Sequence, residues 1–125
     1  MNIEIKNIDI TKLDLGLRHE YTPDTIYNNS LDEKDRIVVD CEYFGVGEKA
    51  KYSSVTSEGE ATLDLRKIFQ KKVRGIRNLQ INGKSVTTAD EFLRFPSIPV
   101  LDAIMSDVVV HIVTADDLSE DERKN

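Results

Sequence analysis

The sequence predicts an α+β fold in which an N-terminal antiparallel β-sheet packs with C-terminal helices and a β-hairpin. Three observations predict it. In residues 36–44, Ile37, Val39, Cys41 and Tyr43 alternate with Val38, Asp40, Glu42 and Phe44, the period of a half-buried strand. Asn82-Gly83, flanked by Leu79, Ile81 and Val86, is the dipeptide that accepts the positive φ of a two-residue hairpin turn. Pro99 suits a first helical turn, and Val100, Leu101, Ile104, Met105, Val108, Val109, Ile112 and Val113 then form one apolar stripe, opposed by Asp102, Ser106, Asp107 and Thr114.

With 125 residues the chain has the size of one core. A single domain is expected over residues 1–115, strand-rich in 1–62 and helix-rich in 63–115, followed by an acidic polar tail at 116–125. At the start, Ile3 and Ile5, then Ile8 and Ile10, then Leu13, Leu15, Leu17, His19 and Tyr21 alternate with polar residues, which predicts one or two strands and no signal peptide. Residues 22–35 are rich in Pro, Asp, Asn and Ser with few apolar anchors, so an exposed loop is expected. Asn28-Asn29-Ser30 has the form of a glycosylation acceptor, which means little without an export signal. After the strand at 36–44, Gly45-Val46-Gly47 supplies a turn and residues 48–55 are expected to pair back as a hairpin. Ala61, Leu63 and Leu65 suggest a further short strand.

Leu65, Ile68, Phe69, Val73 and Ile76 recur at helical spacing, predicting a helix over about 63–74 that ends at Gly75 and carries a basic outer face. Thr88-Ala89-Asp90-Glu91 has the form of a capping box, so a short helix through Phe92 and Leu93 should begin there and stop before Pro96.

The inventory of reactive groups argues against several enzyme classes. Cys41 is the single cysteine, which excludes an internal disulfide and a thiolate cluster and suits a reducing, cytoplasmic setting. His19 and His111 are the two histidines, and neither has another His or Cys at ligand spacing in the sequence, so no metal site is expected. Cys41 reads as a small buried residue, not a nucleophile. The run 116–122 lacks the alternating ligands and central glycine of a calcium loop. Gly45-Val46-Gly47 lacks the third glycine and the lysine of a phosphate loop. No catalytic residue and no cofactor is expected.

Binding is the remaining class. The net charge of −6 opposes nucleic acid and anionic lipid, and no apolar run is long enough to span a membrane, which leaves protein as the default partner. Two patches are candidates: the cationic residues Arg66, Lys67, Lys71, Lys72 and Arg74, followed by Arg77, and the apolar positions Val100, Leu101 and Met105 near the start of the last helix. The basic cluster could neutralise phosphates, but no aromatic residues are interleaved with it, so a solvated face or an acidic protein partner is preferred.

Residues 69–88, with Asn78-Leu79-Gln80-Ile81-Asn82-Gly83-Lys84-Ser85-Val86-Thr87-Thr88 at their centre, are followed by a short acidic helix, a longer apolar helix and Leu118-Ser119-Glu120-Asp121-Glu122-Arg123-Lys124-Asn125. This order resembles small proteins of phage tail modules, above all the lambda-type tail assembly chaperones. The resemblance covers the second half of the chain. It implies a non-enzymatic assembly protein of the host cytoplasm that binds a tape measure protein, a tail tube protein or both, with self-association also compatible. Two alternatives stay open: a structural protein of the virion, and a small nucleic-acid-associated regulator using Lys71, Lys72 and Arg74.

Overall fold

β-Branched and aromatic residues at alternate positions build the centre of the molecule. The computed structural model describes residues 18–114. Strands β1 (Arg18–Tyr21), β2 (Val38–Glu42) and β5 (Val73–Arg77) form an antiparallel sheet in the order β1-β2-β5. Because β2 is central, its inward residues Val39 and Cys41, with Ile37 just before it, are fully buried, as the alternation requires. Helices α2 (Leu65–Lys72), α3 (Ala89–Leu93) and α4 (Pro99–Thr114) cover that face, and α2 packs on both α3 and α4. Ile68 and Phe69 of α2, Phe92 of α3, and Leu101, Ile104, Val108, Val109 and Ile112 of α4 complete the core. The Phe69 and Phe92 rings lie 4.8 Å apart.

The opposite face of the sheet is charged. Arg77 pairs with Glu20 at 2.8 Å and Asp40 at 3.4 Å, and Arg74 with Glu42 at 3.2 Å. These groups are partly solvated, so each pair contributes little, yet together they keep this face from attracting another sheet.

Several local signals act as expected. Asn82 and Gly83 take φ of 54° and 79° between β6 (Gln80–Ile81) and β7 (Lys84–Ser85). Thr88 caps α3 by accepting from the Glu91 amide at 3.1 Å, and the Glu91 carboxylate accepts from the Thr87 and Thr88 hydroxyls. Replacing Thr88 by alanine should therefore lower stability by about 1 kcal/mol in urea denaturation. Pro99 opens α4, and β4 (Ala61–Leu63) is the short strand anticipated there.

Other expectations are corrected. The helix over 63–74 ends at Lys72, and Val73, Gly75 and Ile76 belong to β5. A bulge explains the false helical spacing: Cys41 faces Val73 while Asp40 faces Gly75, so Arg74 is the extra residue and both Val73 and Ile76 turn inward. Residues 48–52 form a 3-10 helix, and β3 (Ser53–Val55) pairs with β4 instead of β2. Leu65 opens α2 instead of extending β4, because Asp64 caps the helix by accepting from the Lys67 amide.

Residues 22–35 are more than an exposed loop. They hold the short helix α1 (Ile26–Asn29) and a 3-10 turn at Glu33–Asp35, anchored by Asn28, which is completely buried. Its side-chain amide donates to the carbonyls of Pro23 and Ile37 at 2.9 and 3.2 Å, and its carbonyl accepts from the Ile37 amide at 2.8 Å. A polar anchor adds to the buried Pro23, and it buries the asparagine of the glycosylation triplet. No described helix is long and apolar enough to cross a membrane. The alternation upstream of Arg18, the end of the domain at 115 and the acidic tail lie outside the described residues.

Candidate functional site

Two features stand next to each other where α4 crosses β1: a cluster of nitrogen and sulfur side chains, and an apolar cleft. Cross-strand pairing builds the first. His19 on β1 lies directly opposite Cys41 on β2, so both side chains point to the helix layer. His111, one turn after Asp107 on α4, meets them from above. The Nε2 atoms of His19 and His111 are 2.7 Å apart, and His19 Nε2 is 3.4 Å from Cys41 Sγ. At 2.7 Å one imidazole donates its N–H to the lone pair of the other.

Aromatic rings wall the cluster. Tyr21 stacks on His111 with centroids 3.8 Å apart and planes 6° from parallel, and Tyr43 stacks on His19 at 3.9 Å. The Tyr21 hydroxyl donates to Asp107 Oδ2 at 2.7 Å, and the Asp24 amide donates to the same oxygen at 2.7 Å. Burial, then the Asp107 carboxylate, hold the Tyr21 hydroxyl above its ordinary pKa. His111 is pushed below its ordinary value, chiefly by burial and then by His19 beside it, against an opposing pull from Asp107. Burial, with the Asp40 charge second, pushes the Cys41 thiol up to about 12. Cys41 is fully buried, as its sequence reading expects.

Spacing along the chain speaks against a metal site, but the fold joins residues that are far apart in sequence. His19, Cys41 and His111 bring one donor atom each to within 4.8 Å of one another, the single such group among the described residues. The histidines are 92 positions apart, so no spacing motif could have announced them.

The second feature is a cleft of about 520 Å³ between α1 and the start of α4, lined by Asp24, Thr25, Ile26, Tyr27, Pro99, Val100, Ala103 and Asp107. Ile26 is 93% exposed, and Tyr27 and Val100 are each a little under half exposed. Ile26 therefore extends the apolar lining of the cleft into solvent.

The anticipated binding residues are scattered. Val100 lines this cleft, Leu101 is buried in the core, and Met105 borders a second, smaller cleft together with Arg66. The basic residues do not form one face. Arg66 donates to the Leu93 carbonyl at the end of α3, Arg74 sits on the charged face of the sheet, and Lys72 is 6% exposed and ion-paired with Glu48. Lys67 and Lys71 remain exposed on α2. The change from helix to strand after Lys72 turns neighbouring cations to different sides. Ile26 and Tyr27 went unnoticed because they lie in the polar stretch 22–35. In comparisons with known proteins, no family model, curated protein or solved structure matches this chain.

Proposed function

We propose that the protein is a non-enzymatic assembly factor of the phage tail assembly chaperone type, which shields an apolar helical segment of a tape measure or tail protein in the host cytoplasm. The observation that carries this reading is the apolar cleft between α1 and α4. Val100 and Ala103 line it from α4, and Ile26 and Tyr27 line it from α1. Asp24 and Asp107 place carboxylates on the rim, so the occupant that fits is a helix with an apolar stripe flanked by lysine or arginine. The order of hairpin, short helix and long apolar helix, shared with tail-module proteins, supports the same reading.

The test is coexpression with the product of an adjacent gene that encodes a long helical protein, followed by copurification and titration. Ile26→Asp and Val100→Asp should each raise Kd by at least about 10-fold. Ile26→Asp should leave the melting temperature unchanged, because that side chain buries almost nothing. Undiminished binding by both variants would remove the cleft from the proposal. Concentration-dependent dimerisation abolished by the same variants would reassign it to a second copy of this chain. Salt-dependent retention of nucleic acid, lost on replacing Lys71 and Arg74, would favour a regulator instead.

A further inference from the structure

We propose that His19, Cys41 and His111 form a binding site for one zinc ion, with two imidazole nitrogens and one thiolate as protein ligands and a water molecule completing the tetrahedron. Neither the sequence spacing nor the proposed function suggests this site. It rests on the side-chain geometry alone.

The donor set selects the metal. Imidazole and thiolate suit zinc, whereas magnesium and calcium take oxygen ligands, and none of the three residues offers oxygen. The distances fit as well. Tetrahedral zinc, with bonds of about 2.0–2.1 Å to nitrogen and 2.3 Å to sulfur, places its ligand atoms about 3.3–3.6 Å apart. Cys41 Sγ and His19 Nε2 already stand at 3.4 Å. The 2.7 Å between the two Nε2 atoms must widen by about 0.6 Å to admit the ion. The remaining pair, within 4.8 Å, need close by no more than about 1.5 Å.

The surroundings are those of a built site. The ligands come from β1, β2 and α4, so the backbone fixes three separate origins. Cys41 lies in the central strand and is fully buried. Tyr21 and Tyr43 stack on the two imidazoles and limit their rotation. Tyr21 is itself held by its hydrogen bond to Asp107, so the carboxylate steadies the ring that steadies His111.

The proton balance is simple. Zinc binding breaks the Cys41 S–H bond, and that proton leaves to solvent as the Zn–S bond forms. The imidazole that donates Nε2–H to its neighbour moves that proton to Nδ1, freeing Nε2 for the metal. No oxidant or reductant is needed. An ion so held would clamp the edge strand β1 and helix α4 to the central strand, adding stability at the wall of the apolar cleft.

The experiment is calorimetric titration of the 125-residue chain, purified under reducing conditions and stripped with chelator, with zinc and separately with cobalt(II). Expected are one ion per chain, one proton released per ion, a higher melting temperature with zinc, and near-ultraviolet thiolate-to-cobalt charge-transfer absorption beside visible bands of tetrahedral intensity. Cys41→Ser and His111→Gln should each weaken binding by at least about 100-fold, and Cys41→Ser should abolish the charge-transfer band. If a variant fails to fold, the cobalt spectrum of the unaltered chain still decides, because Cys41 is the single source of thiolate. Absence of saturable binding, or a cobalt complex without sulfur ligation, overturns the proposal and leaves the cluster as a hydrogen-bonded tie between β1 and α4.

Discussion

Replacing Asn28 by alanine is expected to lower the stability of the fold by roughly 3–4 kcal/mol, the largest effect of any polar substitution considered. The side chain is wholly buried and serves three backbone groups: the Pro23 carbonyl, the Ile37 carbonyl and the Ile37 amide. Alanine would strand all three away from water, and each stranded group costs about 1–3 kcal/mol, not fully additively. Asn28→Asp should be no remedy, because it keeps the acceptor for the Ile37 amide but sets a carboxylate oxygen against two carbonyls. Chemical denaturation measures the loss. Limited proteolysis locates it, since cleavage should appear first within residues 22–37, which lose the buried side chain that ties Pro23 to Ile37. A loss below about 1 kcal/mol would mean that water replaces the amide and that the segment is held by other contacts.

The second large effect concerns the ion pair between Lys72 and Glu48. The Lys72 ammonium is buried, donates to Glu48 and to the Tyr43 carbonyl, and lies 5.6 Å from the centre of the Phe44 ring. Glu48→Gln leaves that cation without its counter-charge and should destabilise by about 1–3 kcal/mol, less than for a wholly buried pair because the Glu48 side chain keeps 27% exposure. Lys72→Met should stay within about 1 kcal/mol of the parent, since an apolar chain of similar volume removes the cost of desolvating the charge. The two substitutions separate the value of the pair from the penalty of breaking it.

The same pair sets a pH dependence. The Glu48 carboxyl is held below its ordinary value, first by the hydrogen bond from Lys72 and then by the Gly45 amide. A depressed carboxyl binds fewer protons in the folded state than in the unfolded chain. Its contribution is therefore complete above the unfolded value of 4.5 and is lost as pH falls through the lower folded value. Unfolding free energies measured from neutral pH downwards should show this decline in the parent chain and a shallower one in Glu48→Gln. Equal slopes would assign acid sensitivity to other carboxylates.

Should zinc bind as inferred, the reading as an assembly factor is unaffected, because a metal clasp between β1, β2 and α4 stabilises the wall of the cleft without acting on a substrate. The two readings also fail separately. Cys41→Ser reports on the metal, and Ile26→Asp reports on the partner.

What could be known from the chain alone was what depends on near neighbours. The alternation around Val39 and Cys41, the positive φ demanded at Asn82-Gly83, the cap at Thr88 and the opening of α4 at Pro99 are decided by residues within a few positions, and each is present in the structure. Burial pattern and turn chemistry therefore made the α+β class legible. Folding alone decided whatever depends on distant partners. A bulge at Arg74 gave a strand the spacing of a helix, and the basic cluster dispersed because its helix stops at Lys72. Asn28 anchors a segment through groups up to nine positions away, and His19, Cys41 and His111 converge only when the first strand pairs and the last helix crosses it. Short-range preferences are written in composition and spacing, whereas a site assembled across 92 positions exists only once the sheet register and helix packing bring its parts together.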